Sequence, residues 1–312
     1  MKKNIIKIIA FFVLLFIILR MISYVFIPKN NTNEYGIDEN EVDSKGILAE
    51  KDNSIDIVVY GDSESIASFI PYELWNKYGY TAYVSGAAGQ SLAETCKMMY
   101  ETLGKQKPKY IILESNNIFD KSSIFAPAAK MINVMLPIIE YHDRWKTLKK
   151  EDVLLKTEYT NVVKNKGYHV IPSVSPADDS NYMIYTDEKE NIKLIRKIYI
   201  KAIKTYCDSI GAELLIYSSP SVANWNYKKH NALKEFCEEE NIDFLDLNVL
   251  HDEIGIDWST DTGDGGDHVN YNGALKVMDK IGQWLNDKNK LVDHRNDESY
   301  AEWNENIGIN RE

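Results

Sequence analysis

Five short apolar runs separated by amphipathic stretches constrain this chain more than any other feature. The runs cover residues 55–60, 81–84, 109–113, 212–217 and 242–247, and helical spacing fills 63–78, 91–105, 191–210, 232–240 and 273–287. Near-continuous apolar strands alternating with helices predict a five-stranded parallel sheet buried on both faces, an α/β fold. In open sheets of this kind, binding and reacting groups gather beyond the carboxyl ends of the strands.

The first 29 residues have a different composition. They carry Lys2, Lys3, Lys7, Arg20 and Lys29 and no acid, a charge of +5 in a chain whose net charge is −11. Residues 5–27 are apolar apart from Lys7, Arg20 and Ser23, long enough for a helix of about 20 residues to span a bilayer if Lys7 and Arg20 snorkel to opposite interfaces. No small-residue cleavage site follows Arg20, which favours an uncleaved anchor over a secretory signal peptide. The leading lysines keep the N-terminus cytoplasmic and place the acidic remainder outside the cell membrane as a single-pass protein. The organisation expected is an anchor at 1–28, a polar linker at 29–53 that tethers the domain, the domain itself at 54–290 and a peripheral acidic tail at 291–312. Residues 117–185 are too long for an ordinary connection and read as a lid or recognition insertion. The acidic balance argues against nucleic acid as a partner, and three cysteines, Cys96, Cys207 and Cys237, build neither a disulfide framework nor a metal site.

Each expected strand end carries polar residues. Gly61-Asp62-Ser63 follows the first strand, Gly89-Gln90-Ser91 the second, Glu114-Ser115-Asn116 the third, and Asp264-Gly265-Gly266-Asp267-His268 the fifth. Alone, each is an ordinary cap or turn. Together they supply a nucleophile (Ser63), a base (His268), an acid and three oxyanion donors: the Ser63 and Gly89 N–H groups and the Asn116 amide. Both Asp264 and Asp267 are candidates for the acid. Asp264 is favoured because a loop can return it to the imidazole, whereas adjacent side chains diverge. A Ser-His dyad is the remaining option. The acidic run around Asp257, Asp261, Asp264 and Asp267 lacks calcium-loop spacing, so no metal is expected.

From 56 to 285 these blocks resemble the SGNH, or GDSL-type, hydrolase superfamily, with Ser63, Gly89, Asn116 and His268 standing at the positions of its four blocks. That family's acid lies three residues before the histidine, where this chain has Gly265. The resemblance implies a flavodoxin-like three-layer α/β/α sandwich and a serine esterase or O-acyltransferase without a cofactor. The acyl group, commonly acetyl, would pass to water or to a cell-envelope polysaccharide. By analogy with membrane-anchored relatives, a membrane-bound O-acyltransferase is an expected partner. A catalytically silent glycan- or partner-binding adaptor is the alternative. His142, Arg144, Trp225, His230 and Asn231 are the expected substrate contacts, chosen for aromatic faces, charge and nearness to the same edge.

Overall fold

The computed structural model describes residues 2–32, 37, 39–102, 104–119 and 132–305. Five parallel strands, β1 (Ile57–Tyr60), β2 (Ala82–Val84), β3 (Tyr110–Glu114), β4 (Glu213–Ser218) and β5 (Asp243–Asp246), pair in the order β2-β1-β3-β4-β5. This is the flavodoxin-like order, which has its topological switch between β1 and β3.

Twelve helices matter to the argument. In chain order they are α1 (Lys2–Phe26), α2 (Glu39–Lys45), α3 (Ser63–Ser68), α4 (Pro71–Tyr78), α5 (Leu92–Thr102) and α6 (Pro137–Glu140). They continue with α7 (Lys150–Leu154), α8 (Leu194–Ile210), α9 (Tyr227–Glu240), α10 (His251–Ile254), α11 (Tyr271–Lys288) and α12 (Ala301–Glu305). The two-residue period of the strands sorts the core into two layers. Val58, Tyr60, Ile111, Leu113, Leu214 and Ile216 face α5, α8 and α9. Ile57, Val59, Ile112, Leu215 and Tyr217 face α3 and α11. The single helix expected over 63–78 is broken, because Pro71 starts α4 and forces Ile70 into extended backbone.

Two segments expected to be loose are docked. In the polar connector, Ile47 and Leu48 are buried, Tyr83 Oη donates to the Asp43 carbonyl at 2.7 Å, and Lys166 Nζ meets both Glu50 oxygens at 2.8 and 2.9 Å. Its polar composition reflects hydrogen bonds to the domain as well as solvation. In the acidic tail, Trp303 is buried against Tyr72 and Trp75, with the Lys166 ammonium 4.9 Å from its ring centre. The expected lid falls partly outside the described residues, at 120–131. Its described part opens with short helices that pack against α1, and residues 164–180 carry neither helix nor strand. Helix α1 is long and apolar enough to cross a membrane over Asn4–Phe26, a description a signal sequence also fits.

The edge strand β2 is shielded by residue 166, whose carbonyl accepts from the Val84 N–H at 2.9 Å. The chain turns there through Gly167 at φ +82°, where a Cβ would lie 2.0 Å from the Val84 carbonyl oxygen. Gly167→Ala is expected to destabilise the domain by about 2 kcal/mol or more, from the positive φ and the backbone clash together. A urea midpoint equal to that of the unmodified chain would contradict this account.

Candidate active site

The carboxyl ends of β1, β2 and β3 are tied to one another before any side chain is considered for chemistry. Ala87 N–H donates to the Gly61 carbonyl at 3.3 Å, the Asn117 amide donates to the Gln90 carbonyl, and Asn116 Nδ2 donates to Asp62 Oδ2 at 3.0 Å. Asp62 also caps α3 by accepting from the Glu64 N–H at 3.1 Å. Asp62 thereby fixes the first turn that carries Ser63 and orients the Asn116 amide beside it.

His268 comes from the loop before α11. Its Nε2 lies 2.8 Å from Ser63 Oγ, and its Nδ1 lies 2.6 Å from Asp264 Oδ2. The His268 backbone N–H donates to Asp264 Oδ1 at 2.8 Å, so one carboxylate grips both the backbone and the ring. Asp264 reaches back because Gly265 (φ +78°) and Gly266 (φ +96°) turn the chain through left-handed backbone that other residues rarely adopt. The loop is closed by the Thr262–Val269 bridge and by Thr262 Oγ1, which donates to the His268 carbonyl and accepts from Gly266 N–H. Asp267 stands 3.7 Å from Nδ1, with its other oxygen taken by Asn224. A serine hydroxyl, an imidazole and a carboxylate in this order can move a proton off Ser63 and hold the resulting imidazolium.

Gly89 lines a cavity of about 690 Å³ whose wall does not include Ser63, Asn116 or His268. Ala87, Ala88 and Met98 give it an apolar wall; Lys45, Lys97 and Glu140 bring charge. Burial pushes the Glu140 carboxyl up to about 7, against the pull of Lys97 and with Glu41 adding to the rise.

Four of the five expected substrate contacts are bonded to the scaffold, and the fifth, His142, is exposed. Trp225 Nε1 donates to Asp246 Oδ2 at 3.0 Å, and His230 Nδ1 meets the same oxygen at 2.7 Å. Asn231 donates to the Thr186 and Glu188 carbonyls. Arg144 is buried, donating to the Phe26 carbonyl at 2.7 Å and to Asp152 at 2.6 Å. His142 is exposed beyond α6, its Nδ1 2.9 Å from the Ile139 carbonyl. Aromatic and cationic character in the sequence did not distinguish a ligand contact from a long-range structural bond.

Sequence reasoning also missed the acids beneath the site. Glu64 and Glu114 are buried, and Asn224 donates to Glu64 Oε1 at 3.0 Å while also serving Asp267. Burial, with Asp62 nearby, pushes Glu114 up to about 8. Burial and the neighbouring Glu114 and Asp62 push Glu64 well above the carboxylate range. A Glu114 carboxyl at about 8 favours its neutral form at neutral pH, which lowers the negative charge around the position where an oxyanion would form. The only sequence signal was an acid immediately after each of the Ser63 and β3 apolar blocks. Among the described residues, Glu64, Asp267 and His268 could offer metal-ligand atoms within 4.8 Å of one another. Both imidazole nitrogens are already engaged, by Ser63 and Asp264, so a metal would have to displace one of them.

No protein-family model and no curated protein matches the chain. Among solved structures, a candidate acylhydrolase from Bacteroides fragilis NCTC 9343 aligns with 80% of this chain and 97% of its own, at 11% identity and a TM-score of 0.40. A GDSL-like lipase from Bacteroides thetaiotaomicron VPI-5482 aligns with 74% of this chain and 88% of its own, at 10% identity and a TM-score of 0.38. Likenesses this remote carry no chemistry, which rests on the geometry.

The raised Glu114 pKa has a consequence for stability. Its folded value of about 8 exceeds the ordinary 4.5, so its contribution is fully present below the ordinary value and is lost as pH rises through 8. Glu114→Gln is expected to flatten the fall in urea midpoint between pH 5 and 9. An unchanged slope would show that Glu114 is not protonated in the folded chain.

Proposed function

We propose that this chain is an extracytoplasmic serine esterase or O-acyltransferase, anchored by α1, that forms an acyl-enzyme on Ser63. The observation that carries the reading is the continuous Ser63–His268–Asp264 chain of contacts at 2.8 and 2.6 Å on the carboxyl edge of a parallel sheet. Ser63 Oγ attacks the ester carbonyl carbon as its proton passes to His268 Nε2, and Asp264 stabilises the imidazolium. The oxyanion is met by the Ser63 and Gly89 N–H groups and by the Asn116 amide, whose second hydrogen remains after one is given to Asp62. Collapse expels the alcohol, which takes the proton from His268. Water or an acceptor hydroxyl then attacks the acyl carbon, gives its proton to His268, and the Ser63 oxygen leaves and is reprotonated.

The cavity that Gly89 lines is the proposed acceptor site, reached from the Gly89 side because Ser63 and His268 do not line it. Its volume is within the roughly 300–1,000 Å³ usual for small-molecule sites, and it pairs an apolar wall with charged hydrogen-bonding groups, as a sugar ring requires. An envelope polysaccharide carrying or receiving acetyl is the substrate class this favours.

A fluorophosphonate probe is expected to label the full chain, with labelling lost in Ser63→Ala and His268→Ala. Esterase turnover should fall roughly 10²–10⁴-fold in Asp264→Asn and less than about tenfold in Asp267→Asn. The reverse ranking would give the acid role to Asp267. A well-folded chain that takes no probe would leave the binding-adaptor reading instead. Acetate release measured against transfer to an acetyl-accepting oligosaccharide then separates hydrolysis from transfer.

A further inference from the structure

The segment from 132 to 163, which supplies Glu140 and Tyr141 to the cavity wall, also grips one end of α1 at four places. Arg20 Nη1 donates to the Met135 carbonyl at 2.8 Å, and Ser23 Oγ accepts from the Ile138 N–H at 3.1 Å. Tyr24 Oη donates to the Leu155 carbonyl at 3.0 Å, and Arg144, held by Asp152, donates to the terminal Phe26 carbonyl. Ser23 is fully buried, although most of the apolar side chains from Ile5 to Ile22 are exposed. Beyond the grip, residues 29–31 pair with 158–161: Glu158 N–H donates to the Lys29 carbonyl, and Asn31 and Asn161 bond reciprocally at 2.7 and 3.0 Å.

The gripping elements expose large apolar side chains around this end of α1. Leu154 is 82% exposed and Trp145 65%, with Met135, Ile139, Val153 and Leu155 also exposed. Exposed Lys146, Lys149, Lys150 and Lys156 lie on the same short segment, interspersed with exposed Asp143 and Glu151, and Lys146 pairs with Asp143 at 2.9 Å. A water-facing surface rarely gathers such residues without a partner. Here the candidate partner is continuous with the surface of α1 itself. At 1.5 Å per residue, the 23 residues Asn4–Phe26 extend beyond a hydrocarbon core of about 30 Å. With Asn4 at the inner edge of the core, Arg20 and Ser23 lie about 24 and 28 Å along the helix, just inside the outer edge, and Tyr24–Phe26 reach or pass it. Trp and aliphatic side chains flanked by lysine suit that depth.

We propose that residues 132–163 form a membrane-interface platform. It clasps the outer end of α1 and lays Trp145, Val153, Leu154 and Leu155 into the headgroup–acyl boundary of the bilayer, so that the domain is mounted on the membrane in a fixed orientation. This goes beyond the esterase reading and is independent of it; it rests on α1 lying in the bilayer.

The test uses the full chain with Cys96→Ser, leaving the buried Cys207 and Cys237. It is reconstituted in vesicles of phosphatidylcholine and phosphatidylglycerol that contain nitroxide lipids. An environment-sensitive fluorophore is attached in turn to Leu154→Cys, to Gln283→Cys on the solvent face of α11 across the sheet, and to Phe12→Cys in α1. The expected result is several-fold stronger quenching at 154 than at 283 by a nitroxide near the headgroup. The label at 12 should respond best to a nitroxide deep in the acyl region. Equal quenching at 154 and 283, with 12 quenched, overturns the platform and means that solvent or another protein covers this surface. No quenching at 12 overturns the anchor and the platform together. Neither outcome bears on labelling of Ser63, so failure here and failure of the esterase reading are distinguishable.

Discussion

The site depends on how one imidazole is held. His268 sits on a loop, and a loop histidine has no element of its own to aim it. Its aim comes from Asp264, which binds the backbone N–H and Nδ1 together, and from the Thr262–Val269 bridge that closes the loop just before Asn270 caps α11. The carboxylate that would stabilise an imidazolium is thus the group that shapes the loop. This explains how an acid four residues before the histidine can do what a spacing of three does in the family the chain resembles. Two consecutive glycines at positive φ absorb the extra residue.

Aiming the imidazole is not sufficient, because the surroundings are rich in acid. Asp62, Glu64, Glu114 and Asp267 lie on the turns around Ser63, and a fully ionised cluster would oppose any developing oxyanion. Burial eases the conflict by raising Glu114 to about 8 and Glu64 in the same direction, which favours their neutral forms. Asn224 spans Glu64 and Asp267, linking the β4 loop to the start of α3 and to the histidine loop. The same burial that quiets the charge makes folding sensitive to alkaline pH.

What was legible in the sequence follows from what is local. The strands stood out because burial on both faces demands unbroken apolar runs, and Ser63, Gly89, Asn116 and His268 stood out because each follows one such run or precedes the last helix. The choice between Asp264 and Asp267 required backbone angles at Gly265 and Gly266, which the residue names allow but do not dictate. Arg144, Trp225 and His230 looked like ligand contacts because their structural partners, Phe26, Asp152 and Asp246, are distant or unremarkable in sequence. The connector looked like a tether because its hydrogen bonds to the domain use polar residues, the composition that also marks flexible chain. One buried indole, Trp303 between Tyr72 and Trp75, is enough to dock the acidic tail.

The docking of the connector bears on how such an enzyme would meet its substrate. A free linker of about 25 residues would let the domain wander over roughly 25–30 Å, and its active edge would sample every orientation to the bilayer. Here Ile47, Leu48 and the Glu50–Lys166 pair secure the connector, residues 29–31 pair with 158–161, and Arg144 caps α1. With α1 in a bilayer, these contacts set one height and one tilt for the carboxyl edge of the sheet. Lys45 belongs to this mounting and also lines the cavity beside Gly89, where it donates to Tyr141 Oη at 2.8 Å. The cavity wall is therefore built partly from the segments that hold the membrane helix. A shift of α1 relative to the domain would pass directly into the shape of the cavity, a coupling that a flexible tether would have removed.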